Sequence, residues 1–253
     1  MKDFSMAFGS PAASAFRRRV EDETRFLETC EGGDQGSPDR RSIWLLGIEP
    51  GWSLADQALD EVGLRKKAEA LHHYGIEMQL QWPYNRNAFK FLAALKGRPV
   101  ETYREFARTV RPFERGSLGY FKANLFPEPF NNTGEWTNEA VEKTGFVSKA
   151  AYQTWLREAR FPVFRAWIEK CYPKLVIGTG LTHLADFLAI TGTVESPSPR
   201  FFEVNGHPKR LHIATSGIVP VAILPHLSGG SHSLNSYEAT RIAADMVRTV
   251  LLD

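Results

Sequence analysis

Apolar positions along the chain fall into two periods. Four short runs are continuously apolar or nearly so: Ser42 to Leu46, Tyr120 to Ala123, Leu175 to Ile177 and Val219 to Leu224. Their length and their β-branched and aromatic content predict buried strands. Each run is cut off by small or polar residues: Gly47-Ile48-Glu49-Pro50-Gly51, Asn124, Gly178-Thr179-Gly180 and Pro225-His226-Leu227-Ser228. Between the runs the apolar spacing changes to three and four. Helices are predicted over Leu54 to His73, from about Arg86 to Leu95 after the break at Trp82-Pro83-Tyr84-Asn85, over Lys149 to Lys170, and over Leu181 to Ile190. A closing helix runs from Asn235, where Ala239, Ile242, Ala243, Met246, Val247 and Val250 share one face. Phe201 to Val204 and Leu211 to Ala214 flank Asn205-Gly206, a hairpin signal.

Strands alternating with helices predict an α/β protein, a three-layer α/β/α sandwich around a central, mostly parallel sheet. Ahead of it, a helix-like stretch near Ala12 to Thr29 and a Gly/Asp/Ser/Pro loop from Glu31 to Arg41 read as a peripheral N-terminal extension, residues 1–41. The core domain is then residues 42–253. A long loop is expected from Asn124 through Pro127 and Pro129 to about Gly145, and loops of that length are usually functional or mobile.

Composition narrows the classes. The chain has 253 residues, 43% of them hydrophobic, enough for a substantial core. No apolar run approaches the roughly 20 residues of a membrane span, and Met1 to Phe16 lacks the basic-then-apolar order of a signal peptide, so a cytoplasmic location is expected. Cys30 and Cys171 are the only cysteines, too few for a thiolate cluster or a disulfide framework. The net charge of +2 does not by itself announce a nucleic-acid binder. Its distribution is uneven, however: Arg86 to Lys122 carries nine bases against the three acids Glu101, Glu105 and Glu114. That segment either faces phosphate or forms a solvated helical face in which Glu101 and Glu105 pair with Arg104 and Arg108.

In open α/β sheets, ligands collect at the carboxyl ends of the strands. Glu49, Asn124 and His226 therefore converge on one crevice if the four runs lie side by side. A carboxylate at Glu49 can orient or deprotonate a water, or simply bond its own turn. Asn124 offers an acceptor and donors to the edge of a planar base, or satisfies the turn after its strand. His226 opens a Ser- and Gly-rich loop, Ser228-Gly229-Gly230-Ser231-His232, whose backbone can approach a phosphate closely.

Taken in order, Gly47-Ile48-Glu49-Pro50-Gly51, Pro83-Tyr84-Asn85-Arg86, Lys122-Ala123-Asn124, Gly178-Thr179-Gly180 and His226-Leu227-Ser228 resemble the uracil-DNA glycosylase superfamily. The resemblance covers about Ser42 to the C-terminus and implies that superfamily's sandwich fold. It implies that Glu49 positions the hydrolytic water and that His226 donates to the departing base. It gives base binding to Asn124, to Ile48, and to one of Tyr84 or Trp82 as the stacking aromatic. Phosphate contacts fall to Pro50, Gly51, Ser228, Gly229 and Ser231.

The implied activity is a monofunctional DNA glycosylase that flips a base out of the stack and hydrolyses its bond to the sugar, leaving an abasic site. DNA is the implied partner, the state monomeric; no metal, nucleotide cofactor or covalent lysine is required, and no membrane is involved. The chain departs from the superfamily in three places. About thirty residues separate Gly51 from Trp82. The last motif reads His-Leu-Ser-Gly-Gly where many members have His-Pro-Ser-Pro and then an apolar wedge, for which Leu227 and Leu234 are the candidates here. The four cysteines of the cluster-bearing families are missing. The long segment suggests a pocket for a larger modified pyrimidine, such as a hypermodified phage base, and hence a defence enzyme. Two rival readings are a non-catalytic nucleic-acid-binding relative and an unrelated α/β hydrolase acting on a small molecule.

Overall fold

In a computed structural model, which describes residues 11–30, 35–51, 74–129 and 136–252, the four apolar runs become strands. They are β1 (Ile43–Gly47), β2 (Tyr120–Asn124), β3 (Leu175–Thr179) and, after the hairpin β4 (Arg200–Val204) and β5 (His207–Ala214), β6 (Val221–Leu224). Every residue of β1, β2, β3 and β6 is buried, as continuous apolar runs require when both faces of a sheet are covered. The strand order is β2-β1-β3-β6-β5-β4. The first four strands run parallel; β5 is antiparallel to β6, and β4 to β5. The sheet is therefore mixed rather than purely parallel. The hairpin is the cause: Asn205 and Gly206 take φ of 52° and 73°, the left-handed pair that a two-residue turn demands, and β5 returns beside β6.

Alternate residues of each strand feed two cores. Ile43, Leu45, Leu175, Ile177, Ala222 and Leu224 face one side. There they meet α2 (Ile76–Gln79), α3 (Pro83–Leu95), α4 (Tyr103–Val110) and α8 (Tyr237–Leu252). Trp44, Leu46, Phe121, Val176 and Ile223 face the other. They meet α1 (Pro11–Glu21), α6 (Lys149–Cys171) and α7 (Leu184–Ile190). Pro83 pre-sets the first turn of α3. Ala239, Ala243 and Val247 are fully buried on α8 and let it lie close along α3. Helix α6 opens on Ser148, whose hydroxyl accepts from Ala151 N at 3.2 Å, and closes on Tyr172 in the left-handed region. It returns the chain from the carboxyl edge of the sheet to the start of β3.

Residues 11–30 are not peripheral, which corrects the sequence reading. Phe16, Val20 and Phe26 are buried in the α6-side core, and Phe26 meets Phe164 edge to face with centroids 4.8 Å apart. Residues 35–37 bond to the outer edge of β2, through Lys122 N to Gln35 O at 2.8 Å and Ser37 N to Tyr120 O at 2.9 Å. Residues 11–30 and 35–37 thus supply apolar cover and an edge partner for the sheet, and the core does not begin at Ser42. The helix expected over Leu54 to His73 lies outside the described residues. Three helices had no predicted range. They are the short α2; α4, considered only as a solvated helical face, whose apolar stripe Tyr103, Phe106, Ala107 and Val110 is interleaved with the basic run; and α5 (Asn138–Thr144), inside the long loop between a Thr137 cap and a left-handed Gly145. No helix among the described residues is long and apolar enough to cross a membrane.

Candidate functional site

Parallel pairing brings the ends of β2, β1, β3 and β6 to one edge of the sheet, with Gly47 opposite Asn124 and Thr179 opposite Leu224. The period-two rule then sets which side each end residue serves. Gly47, Asn124 and Thr179 share the α3 side with Ile43, Tyr120 and Leu175. The absence of a side chain at Gly47 makes the site: a Cβ there would overlap the Asn124 carboxamide oxygen and come 3.5 Å from the Tyr84 hydroxyl. Asn124 thus lies over the end of β1, and Tyr84, in the first turn of α3, closes over both.

A hydrogen-bond chain fixes Tyr84. The Thr179 hydroxyl donates to Leu46 O at 3.1 Å, so its 2.9 Å contact with the Tyr84 hydroxyl is one that Tyr84 donates. The Tyr84 ring lies 5.7 Å from the His226 ring at 49°. Trp82 packs instead against Tyr74, edge to face at 5.1 Å. Of the two aromatic candidates, Tyr84 is the one brought together with Asn124 and His226.

His226 Nδ1 lies 2.7 Å from Ser228 O. Ser228 N lies 3.3 Å from the same nitrogen, so Nδ1 donates to the carbonyl in one tautomer and accepts from the amide in the other, and Nε2 is a donor in the cation in either case. The loop that follows is pinned from three sides. Asn87 Nδ2 donates to Leu227 O at 2.5 Å. Lys209 Nζ donates to Ser231 O at 2.5 Å and Ser233 O at 2.9 Å, and Leu234 N donates to His226 O at 2.9 Å. Burial holds the Lys209 amine below its ordinary value. Gly229 is exposed with φ of 116°, and Ser231 is exposed while Ser228 is half-buried. Leu227 and Leu234 are both fully buried, so neither is the protruding wedge the resemblance suggests: their side chains complete the α3-side core.

Glu49 is drawn to the other side. Lys149, the first residue of α6, donates to Glu49 Oε2 at 2.8 Å, and Gln153, one turn on, donates to Oε1 at 3.4 Å. The two side chains of the ion pair are only 18% and 11% exposed, so the carboxylate is fixed in place. Ile48, between Gly47 and Glu49, packs its side chain on Gly180, where φ of 124° and the contact both exclude a Cβ. Its carbonyl accepts from Phe126 N at 2.9 Å. Pro50 is half-buried and Gly51 exposed.

Several residues of this edge have no clear signal in the sequence. Arg160 is fully buried beneath β2, donating to Leu125 O and Thr29 O at 3.1 Å each and to Asn124 O at 3.4 Å; its guanidinium sits 4.8 Å from the Phe164 ring. It holds the backbone that presents Asn124. Beyond β3, Asp186 takes both Arg157, at 2.7 and 2.9 Å, and His183 Nδ1, at 2.8 Å. Burial pushes the Asp186 carboxyl up, but the bonds from His183 and Arg157 outweigh it and hold it below its ordinary value. The one visible hint was Lys149 itself, a cation in a helical first turn where acids are favoured.

The basic segment is partly committed within the fold, while Lys96, Arg98, Arg104 and Arg115 are exposed. Lys122 is buried and donates to Asn85 Oδ1 at 3.3 Å, and Lys90 donates to Asn87 Oδ1 at 3.0 Å. Arg108 pairs with Glu77 and Arg111 with Glu114. Both cysteines are buried and neither forms a disulfide among the described residues. Among the described residues there is no group of acidic, histidine or cysteine side chains that would hold a metal.

No family model and no curated protein matches this chain.

Proposed function

We propose that the protein is a DNA glycosylase of the uracil-DNA glycosylase type, acting on a flipped-out uracil or modified pyrimidine and leaving an abasic site. The observation that carries this reading is the assembly over Gly47, where the Asn124 carboxamide packs onto the glycine beside the Tyr84 hydroxyl and the His226 ring lies 5.7 Å from that of Tyr84. Asn124 presents a carboxamide to a base edge, Tyr84 an aromatic face, and His226 Nε2 a donor when the ring is cationic. Glu49 follows Gly47 by two residues, so its Cα lies within about 8 Å along the chain. A base over Gly47 puts its sugar beside the carboxylate.

The bond breaks with positive charge growing on the sugar and negative charge on the base. His226 as imidazolium and the Asn124 amide offset the second charge; Glu49 orients water at the sugar carbon and faces the first. The exposed loop at Ser228, Gly229 and Ser231 is suited to phosphate, as are the N-terminal turns of α3 and α6, which open at the same edge. The mixed sheet with helices on both faces agrees with the sandwich this activity uses. Enzyme, DNA partner and cytoplasmic setting belong together in this reading, and excision of a bulky modified pyrimidine would place the activity in defence against phage.

The test is a panel of end-labelled DNAs carrying uracil, a thymine mismatch, hydroxymethylcytosine or glucosylated cytosine, treated with alkali after incubation. Cleavage at one base supports the proposal. Tight, salt-sensitive DNA binding without cleavage would favour a binding protein, and no DNA affinity at all would favour a small-molecule hydrolase.

A further inference from the structure

Lys149 stands at an odd place. It is the first residue of a 23-residue helix, where the helix dipole disfavours a cation, and that first turn holds no acid to offset it. Its ammonium is largely buried and lies 2.8 Å from Glu49 Oε2, and Gln153 braces the other carboxylate oxygen. Neither helix stability nor orientation of a water calls for a lysine here; a neutral donor such as Gln153 orients a carboxylate equally well. A primary amine beside a carboxylate, both at the sheet edge where the sugar would lie, is the pair of groups that cleaves an abasic site.

We propose that the protein carries a second activity, an abasic-site lyase in which Lys149 is the nucleophile and Glu49 the proton carrier. The proposal rests on the glycosylase reading of the same site and extends it beyond the hydrolysis that the resemblance implies. Once the base has left and water has added, the sugar opens to an aldehyde at C1′. Lys149 passes a proton to Glu49 across their hydrogen bond, and its freed electron pair forms an N–C1′ bond while the carbonyl π pair moves to the oxygen, which takes one of the two remaining amine protons and becomes a hydroxyl. Glu49 returns the proton to the departing hydroxyl, which leaves as water, giving a protonated imine. The carboxylate, again ionised, takes a proton from C2′. That electron pair forms the C2′–C3′ double bond, the C3′–O bond breaks, and the 3′ phosphate leaves with the electrons of that bond. No oxidant, metal or cofactor enters the balance. The lysine stem gives the amine the few ångströms of travel needed to reach an attack distance of about 3–3.5 Å.

The experiment uses the full chain and a DNA duplex with a pre-formed abasic site, so that base recognition is bypassed, in the presence of borohydride. The imine is reduced to a stable amine, and a covalent protein–DNA band appears on a denaturing gel. Wild type is expected to form it, and peptide mapping to put the adduct on Lys149. Lys149→Arg, which keeps a cation facing Glu49 but cannot form this imine, is expected to lose the band at least tenfold while melting near wild type. Lys143→Ala, remote and paired with Glu128, keeps it. No band from wild type, or a band undiminished in Lys149→Arg, overturns the lyase. Base release on the modified-base panel is scored separately, so a glycosylase without a lyase and a lyase without a glycosylase are told apart.

Discussion

The site turns on a few single atoms. Gly47 matters for what it lacks: Gly47→Ala forces the Asn124 carboxamide, a movable group, out of its position. Base release should then fall by about 100-fold, as for loss of a positioning contact, while stability falls by about 1–3 kcal/mol, since Asn124 is buried and has to shift. Single-turnover excision beside a thermal melt checks both. Tyr84→Phe removes the donor to Thr179 and leaves the ring; about 1 kcal/mol of stability should go, with stacking retained. If Tyr84→Phe abolished excision altogether, the hydroxyl rather than the face would be the working part.

Among the elements, α6 does most to organise the edge. On successive turns it offers Lys149 and Gln153 to Glu49, Arg157 to Asp186, and Arg160 to the carbonyls after β2. Arg160→Met should destabilise the fold by about 3 kcal/mol, because Leu125 O and Thr29 O lose their donor while buried; chemical denaturation reads this. Asp186 tests the electrostatics. Its carboxyl is held below the ordinary value of 3.8, so the stability it adds is present above that pH and is lost as pH falls through the lower folded value. Asp186→Asn should therefore cost about 1 kcal/mol at neutral pH, discounted for the partly exposed Arg157, and nearly nothing in strong acid. Unfolding curves at pH 7 and below pH 3 give the comparison.

Strands, hairpin and closing helix were legible because continuous apolar runs and an Asn-Gly turn have local physical causes. Glu49, Asn124, Tyr84 and His226 were legible as residues at strand and helix ends, and a crevice shared by Glu49, Asn124 and His226 was expected from parallel strands, but not which partners each one takes. That depends on strand order, which puts Asn124 and Thr179 either side of Gly47 and draws Glu49 to α6. Phe16, Val20 and Phe26 were misjudged because their apolar spacing does not say which distant helix they cover. Arg160 was invisible: nothing local distinguishes a buried arginine from a solvated one.

For the molecule as a whole, a small net charge of +2 and a basic segment partly bonded within the fold predict few phosphate contacts. DNA affinity should fall with salt at a slope of about −0.9 per neutralised phosphate, and a slope between about −2 and −4 is expected rather than −8. The account's central claim is that this edge breaks a base–sugar bond with Glu49 as the water-orienting group. Mass-spectrometric detection of the freed base, from wild type and Glu49→Gln on the modified-base panel, tests it most directly. Release of one base, slowed about 10²- to 10⁴-fold in a folded, DNA-binding Glu49→Gln variant, is the predicted result; release at the wild-type rate by that variant, or none by wild type on any substrate, would contradict it.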